Sequence, residues 1–214
     1  MRDKARGSKS AGRNPIATRA RILDSAVMAF AAKGFDGARV DTVAKDARVN
    51  INLVYHYFGS KEGLFIAVME HAYSVIRSRH KDMELRNLPP VEAMKRLVTS
   101  TFRMFVELPE LIGLLGSENM HEGRHIRQSE VIRNLYNPLL DFISETLRRG
   151  VAEGVFRTGV DPVDLFISIN AEGYFYISNR HTLAFIIHQD LMTEERLNQR
   201  EAHIVDVILR SLSP

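Results

Sequence analysis

Two stretches of the chain carry side chains spaced for chemistry. The first, His121-Glu122-Gly123-Arg124-His125, matches H-E-x-x-H, a spacing that puts two imidazoles one helical turn apart on zinc and a carboxylate beside the zinc-bound water. Its chemistry would be metal-assisted hydrolysis. Gly123 weakens the helix that must keep both rings on one face, and the surrounding SENMHEGRHIRQSE reads as a polar connection between helices. Glu118 and Glu130 are acids nearby without evident ligand spacing. A zinc-dependent hydrolase therefore stands as the alternative reading. The leading one assigns no catalytic residue, no metal and no cofactor. The absence of cysteine removes disulfides, thiolate zinc sites and thiol nucleophiles together.

The second stretch, Asn50-Ile51-Asn52-Leu53, could read bases. Asparagine pairs bidentately with adenine, and Ile or Leu packs on a thymine methyl. Between Asn50 and Tyr57 there is no Arg or Lys, so guanine would have to be read from flanking Arg48 or Lys45. The expected half-site has A·T pairs at its specific positions.

Such a reading edge needs a helix-turn-helix to position it. Thr42 to Ala47 predicts two turns with Val43, Ala44 and Ala47 on one face, and Asn50 is suited to cap a new helix over Ile51 to Tyr57. Neither helix is long enough to be stable alone. Their support is a preceding helix, from Pro15 to Thr18 as far as Lys33, with Ile22, Leu23, Ala26, Val27 and Phe30 on its inner side and Gly34 at its end. Phe35 should enter the same small core. A fourth helix follows the Ser60 cap, buries Leu64, Phe65, Val68, Met69, Ala72 and Ile76, and reaches about His80. It is the rigid lever to the rest of the chain.

Beyond Leu88-Pro89-Pro90 the pattern is helical throughout, so the fold class is all-α. Val91 to Glu107 carries one apolar stripe, Pro109 to Gly116 a short helix or turn, and Gln128 to Ala152 a strong stripe that includes Val131, Ile132, Leu135, Leu139, Phe142 and Ile143. Pro138 within the last should bend it. Asp161-Pro162 is a helix start, and the helix that follows is apolar almost all round. Thr193 caps the last helix. Two wide apolar faces near the end of the chain predict a homodimer interface.

The 214 residues leave room for a sizeable core, and no apolar run approaches a membrane span. With no secretory signal, a cytoplasmic protein without membrane contact is expected. Net charge is only +3, but residues 1–21 hold seven Lys and Arg against Asp3. A basic arm over residues 1–17 ahead of a helix-turn-helix suits phosphate contact.

TRARILDSAVMAFAAKGFDGARVDTVAKDARVNINLVYHYFGSKEGLFIAVM, from Thr18 to Met69, resembles the first four helices of the TetR family of bacterial transcriptional regulators. Arg149 to Arg157 and the Asp161-Pro162 start also resemble family members. The resemblance implies a DNA-binding domain (residues 18–62), a helical ligand-binding and dimerisation domain (63–214), a palindromic double-stranded operator, and repression relieved by a small molecule. A DNA-binding protein without a ligand is a further alternative. The resemblance also implies phosphate contacts from Tyr55, His56 and Lys61. Three positions depart from the family pattern: Arg39, where Ser or Thr is usual and where a cation facing DNA is gained; Arg48, at a turn position usually held by Gly; and Asn52, where Gly or Ala is usual. In the second domain, Phe102, Phe105, Leu135, Phe142, Phe166 and Tyr174 could wall an effector cavity between helices, with Thr101 and Asn170 as polar anchors.

Overall fold

The computed structural model describes residues 14–81 and 85–214. The described residues form ten α-helices and no strand. Most of the basic arm lies outside the described residues. No described helix is long and apolar enough to cross a membrane.

The first four helices follow local sequence signals closely. α1 (Pro15–Gly37) starts on the Asn14 cap, whose Oδ1 accepts from the Ile16 and Ala17 amides, and buries Ile22, Leu23, Ala26 and Phe30. Gly34 is left-handed (φ 66°), as expected, but one more turn follows it, so the helix is interrupted there rather than ended. α2 (Val40–Asp46) begins two residues earlier than the Thr42 expectation, with Val40 adding to its buried face. α3 (Ile51–Phe58) begins on Asn50, whose Oδ1 accepts from the Asn52 amide at 2.8 Å. α4 (Lys61–Lys81) starts after Ser60, whose Oγ accepts from Gly63 N.

The body comprises α5 (Pro90–Glu107), α6 (Glu110–Met120), α7 (Glu130–Ala152), α8 (Pro162–Ser178), α9 (Arg180–Ile187) and α10 (Glu194–Leu212). α6 is a full helix, longer than the short turn expected at Pro109 to Gly116, because Leu111 and Leu114 anchor its inner face and carry it on to Met120. Val131, expected in the buried stripe of α7, stands 51% exposed, whereas Ile132, Leu139, Phe142, Ile143 and Leu147 are buried. The stripe starts one residue later, just after the Ser129 cap, whose Oγ accepts from Ile132 N. Asp161 caps α8 through the Val163 and Asp164 amides.

Tertiary packing joins the first four helices to the body. α1 packs on α6, α4 on α7, and α5 on α7, α8 and α10. Gly113 lets α6 approach α1 to backbone contact: a Cβ there would lie 2.1 Å from the Ala31 carbonyl oxygen. Burying these faces is worth about 25 cal/mol per Å² of apolar surface, which is what holds helices as short as α2 and α3 in place.

Candidate nucleic-acid interface

The interface is built on α3. Ile51, Val54 and Phe58 recur at three- and four-residue spacing and turn inward, Val54 fully buried and the other two packed against the core. The opposite face, Asn52, Tyr55 and His56, is exposed, with Tyr55 43% exposed. Asn50 and Leu53 lie at the N-terminal edge. Ile51, expected to face the bases, is half-buried and packs against the core on the Val54 side of α3. Asn50 and Asn52 also part company: the Asn50 Oδ1 is committed to the cap, while no hydrogen bond engages the Asn52 side chain among the described residues.

The cations divide into engaged and free ones. Arg39 does not stand free toward DNA; its Nε and Nη2 donate to both Asp41 oxygens at 3.2 and 2.8 Å. That hydrogen bond holds the Asp41 carboxyl below its ordinary value and raises the guanidinium. Lys61 is engaged as well, donating to the Asp36 carbonyl at 3.1 Å with its ammonium 5.0 Å from the centre of the Phe35 ring. Lys45 and Arg48 are exposed, and Arg48 adopts the left-handed backbone (φ 55°) that its turn position demands. Arg21, from α1, joins these two and Thr18 around an open cleft at the start of α3. Sequence reasoning counted Arg21 only in the charge of residues 1–21; its place beside the reading edge depends on how α1 crosses the turn.

His121 to His125 does not form the helix that a zinc hydrolase motif requires. Glu122 and Gly123 are both left-handed (φ 56° and 70°), and a 3₁₀ turn, Ile126–Gln128, follows. The two histidines tie α6 to the end of α1. His121 shares hydrogen bonds through Nδ1 with the Ser117 carbonyl (2.8 Å) and through Nε2 with Asp36 (3.2 Å). His125 is fully buried, its Nδ1 2.6 Å from Glu118 Oε2. Ser117 adds a third link, its Oγ accepting from Phe35 N at 2.9 Å. Glu118, read from sequence as merely a nearby acid, is the buried partner of His125, and its charge adds to burial in raising the Tyr73 phenol. No group of three or more potential metal ligands occurs among the described residues.

In the body, the predicted pocket residues come from α5, α7 and α8, which pack on one another. Phe102 and Phe105 are buried, edge-on to Tyr176 (6.1 Å) and Tyr174 (5.8 Å); Phe142 is buried, and Leu135, Phe166, Asn170 and Tyr174 are half-buried. Thr101 Oγ1 donates to the Leu97 carbonyl and Asn170 Nδ2 to the Phe166 carbonyl, each at 2.9 Å. Both polar anchors therefore satisfy their own helices. Outward, Val163, Ile167 and Phe175 form an exposed apolar line along α8, continued by Phe185, Ile186 and Ile187 of α9.

A helix-turn-helix with an exposed amide-bearing face, carried by an all-helical body, defines a DNA-binding transcriptional regulator. Residues 22–68 match the family described as bacterial regulatory proteins, tetR family, and residues 90–208 match the tetracyclin repressor-like C-terminal domain. The HTH-type transcriptional repressor NicS of Pseudomonas putida is 34% identical over 195 residues, spanning 91% of this chain and 92% of that protein. The HTH-type transcriptional regulator RutR of Escherichia coli is 25% identical over 193 residues, 90% of this chain and 89% of that one. Among solved structures, the regulator SCO4942 of Streptomyces coelicolor superposes with a TM-score of 0.69 at 25% identity, covering 92% and 99% of the two chains. FadR of Bacillus subtilis shares the fold, with a TM-score of 0.69 at 18% identity, covering 91% and 99%. The chain belongs to the TetR family of bacterial transcriptional regulators.

Proposed function

We propose that the protein is a cytoplasmic, homodimeric repressor that binds a roughly palindromic operator and leaves it when a small molecule enters the helical body. The observation that carries the reading is the exposed Asn52–Tyr55–His56 face of α3, displayed by a turn that Asn50 caps. Asn52 reads a base edge, while the Tyr55 hydroxyl and His56 imidazole donate to phosphates. The residues 18–62 serve as the DNA-binding domain and 63–214 as the ligand-binding and dimerisation domain. Repression is supported by NicS, which bears the name of a repressor.

The exposed apolar line on α8 and α9 supplies the dimer face, and two-fold symmetry then sets the two reading helices about 34–36 Å apart, one DNA turn. Thr101, Phe102, Phe105, Leu135, Phe142, Phe166, Asn170 and Tyr174 line the proposed effector site. FadR of Bacillus subtilis was crystallised in complex with stearoyl-CoA, an example of a ligand held in this fold. Apolar walls with few polar groups favour a neutral or partly apolar molecule here. The effector acts by preferring the conformation with the wrong helix spacing, and can shift DNA affinity only by its differential affinity for the two states.

Selection of bound fragments from the source genome tests the reading. A short inverted repeat with A·T pairs at the positions facing Asn52 is the expected result. Recovery of fragments with no common sequence would contradict it.

A further inference from the structure

Arg21, Lys45 and Arg48 come from α1, α2 and the turn between α2 and α3, yet all three line one open cleft of about 570 Å³. Asn50 and Asn52 line it too, so the cleft opens beside the first turn of the reading helix. No acidic residue lines it. The other cations near this face are engaged elsewhere: Arg39 with Asp41, Lys61 with the Asp36 carbonyl, and Arg19 over the Phe58 ring at 5.0 Å. Arg21, Lys45 and Arg48 make no side-chain hydrogen bond or ion pair among the described residues.

Three like charges around one cleft repel one another, and among the described residues no acidic side chain lines the cleft. Arg48 is also held at φ 55°, where a residue with a Cβ is strained and glycine is not. A strained, unpaired cation next to two other unpaired cations is a poor arrangement for stability alone. It becomes favourable once an anion occupies the cleft.

We propose that Arg21, Lys45 and Arg48 form a cradle for one backbone phosphate of the operator at the N-terminal end of the reading helix. The assignment rests on the DNA-binding reading above and deepens it. Arg48 and Lys45 then position the helix on the duplex rather than read guanine, and Arg21 extends the contact surface onto α1. The chemistry is that of a phosphodiester held by guanidinium and ammonium donors, which fixes register and carries no sequence information.

Full-length protein, one labelled duplex selected from a random pool and one scrambled duplex test this by fluorescence anisotropy between about 50 and 200 mM salt. Arg48→Gly suits the left-handed turn, so it folds at least as stably as the parent in a thermal melt. It should nevertheless flatten the slope of log affinity against log salt by about 0.9 per protomer, about 1.8 for a dimer, on both duplexes alike. Arg21→Gln should act in the same direction, Arg48→Lys should restore most of the slope, and Arg133→Gln, which breaks an exposed pair with Glu130 on α7, should leave it unchanged.

Unchanged slopes for Arg48→Gly and Arg21→Gln would overturn the cradle, as would a loss confined to the selected duplex, which marks a base-reading arginine. Replacing chloride with inorganic phosphate at equal ionic strength separates the sources. Tight Arg48-dependent binding of free phosphate with an unaltered DNA slope would also overturn the proposal. A parent protein that binds neither duplex would sink the regulator reading itself, and the cradle with it.

Discussion

The Glu118 carboxylate and the His125 imidazole meet at 2.6 Å where solvent reaches almost none of either side chain. Glu118 also accepts from the backbone N–H groups of His125 and Ile126, at 2.8 and 2.9 Å. The imidazole lies against Phe35 and Phe65, with ring centroids 4.4 and 4.8 Å away. One acid–imidazole contact thus joins the end of α6 to the connection after Gly34 and to α4. Replacing Glu118 by Ala strands three donors in the interior and should cost about 3–5 kcal/mol in urea denaturation. Glu118→Gln, which keeps an acceptor, should cost distinctly less; equal losses would assign the effect to packing instead.

Gly113 predicts a different kind of failure. An added Cβ would meet the Ala31 carbonyl oxygen at 2.1 Å and its carbon at 2.9 Å, and backbone cannot swing aside as a long side chain can. Gly113→Ala should therefore push α1 off α6 and lower stability by about 1–3 kcal/mol, despite alanine's better helix propensity. A melting temperature equal to or above the parent's would show that the crossing is looser than described.

His121 confers a pH dependence. The Ser117 carbonyl bonded to its ring raises its pKa above the ordinary 6.5, and the Asp36 carboxylate adds to this. A raised folded-state pKa means that the stabilisation is fully present below about 6.5 and is lost as pH rises through the folded value. The parent's advantage over His121→Asn in thermal stability should thus shrink between mildly acidic and alkaline buffers. An advantage that stays constant or grows with pH would refute the assignment.

The exposed line on α8 bears on assembly. Phe175 is 58% and Ile167 55% exposed, and an arginine at either position would place an unpaired charge in the proposed dimer face. Ile167→Arg and Phe175→Arg should shift the protein to monomer in sedimentation velocity and abolish tight binding to a two-half-site duplex. A dimer that survives both changes would move the interface elsewhere.

Asn50 and Asn52 should separate cleanly. Asn52→Ala should cost about 1–3 kcal/mol at one base pair of the operator and leave the melting curve unchanged. Asn50→Ala removes the cap on α3 and should cost about 0.5–2 kcal/mol of stability, as seen in denaturant titration. Equal stability losses would erase the distinction between reader and cap.

Sequence by itself determined most of the helices, because their signals are local: the Asn50 and Asp161 caps, the Pro15 and Pro162 starts, Gly34 and the buried stripes of α4 and α5 all act within a turn or two of chain, whereas α9 and the full length of α6 carried no such signal. The family resemblance, in which Gly is usual at Arg48, marked that position as one suited to a left-handed backbone, and Arg48 adopts it (φ 55°). The division of Asn50 to Leu53 into an inward Ile51, a capping Asn50 and an outward Asn52 was less legible, because it depends on which side of α3 the core lies. Only the tertiary structure decided which charges are free. Arg39 and Lys61 read as DNA-facing cations in the chain, yet Asp41 engages one and the Asp36 carbonyl the other, 25 residues away in sequence. The same holds for His121 and His125, whose zinc-like spacing is spent on Asp36, Ser117 and Glu118. The Arg39–Asp41 pair is local, but the contacts of Lys61 and His121 with Asp36 exist only because α1 meets α4 and α6, and no local pattern encodes that meeting.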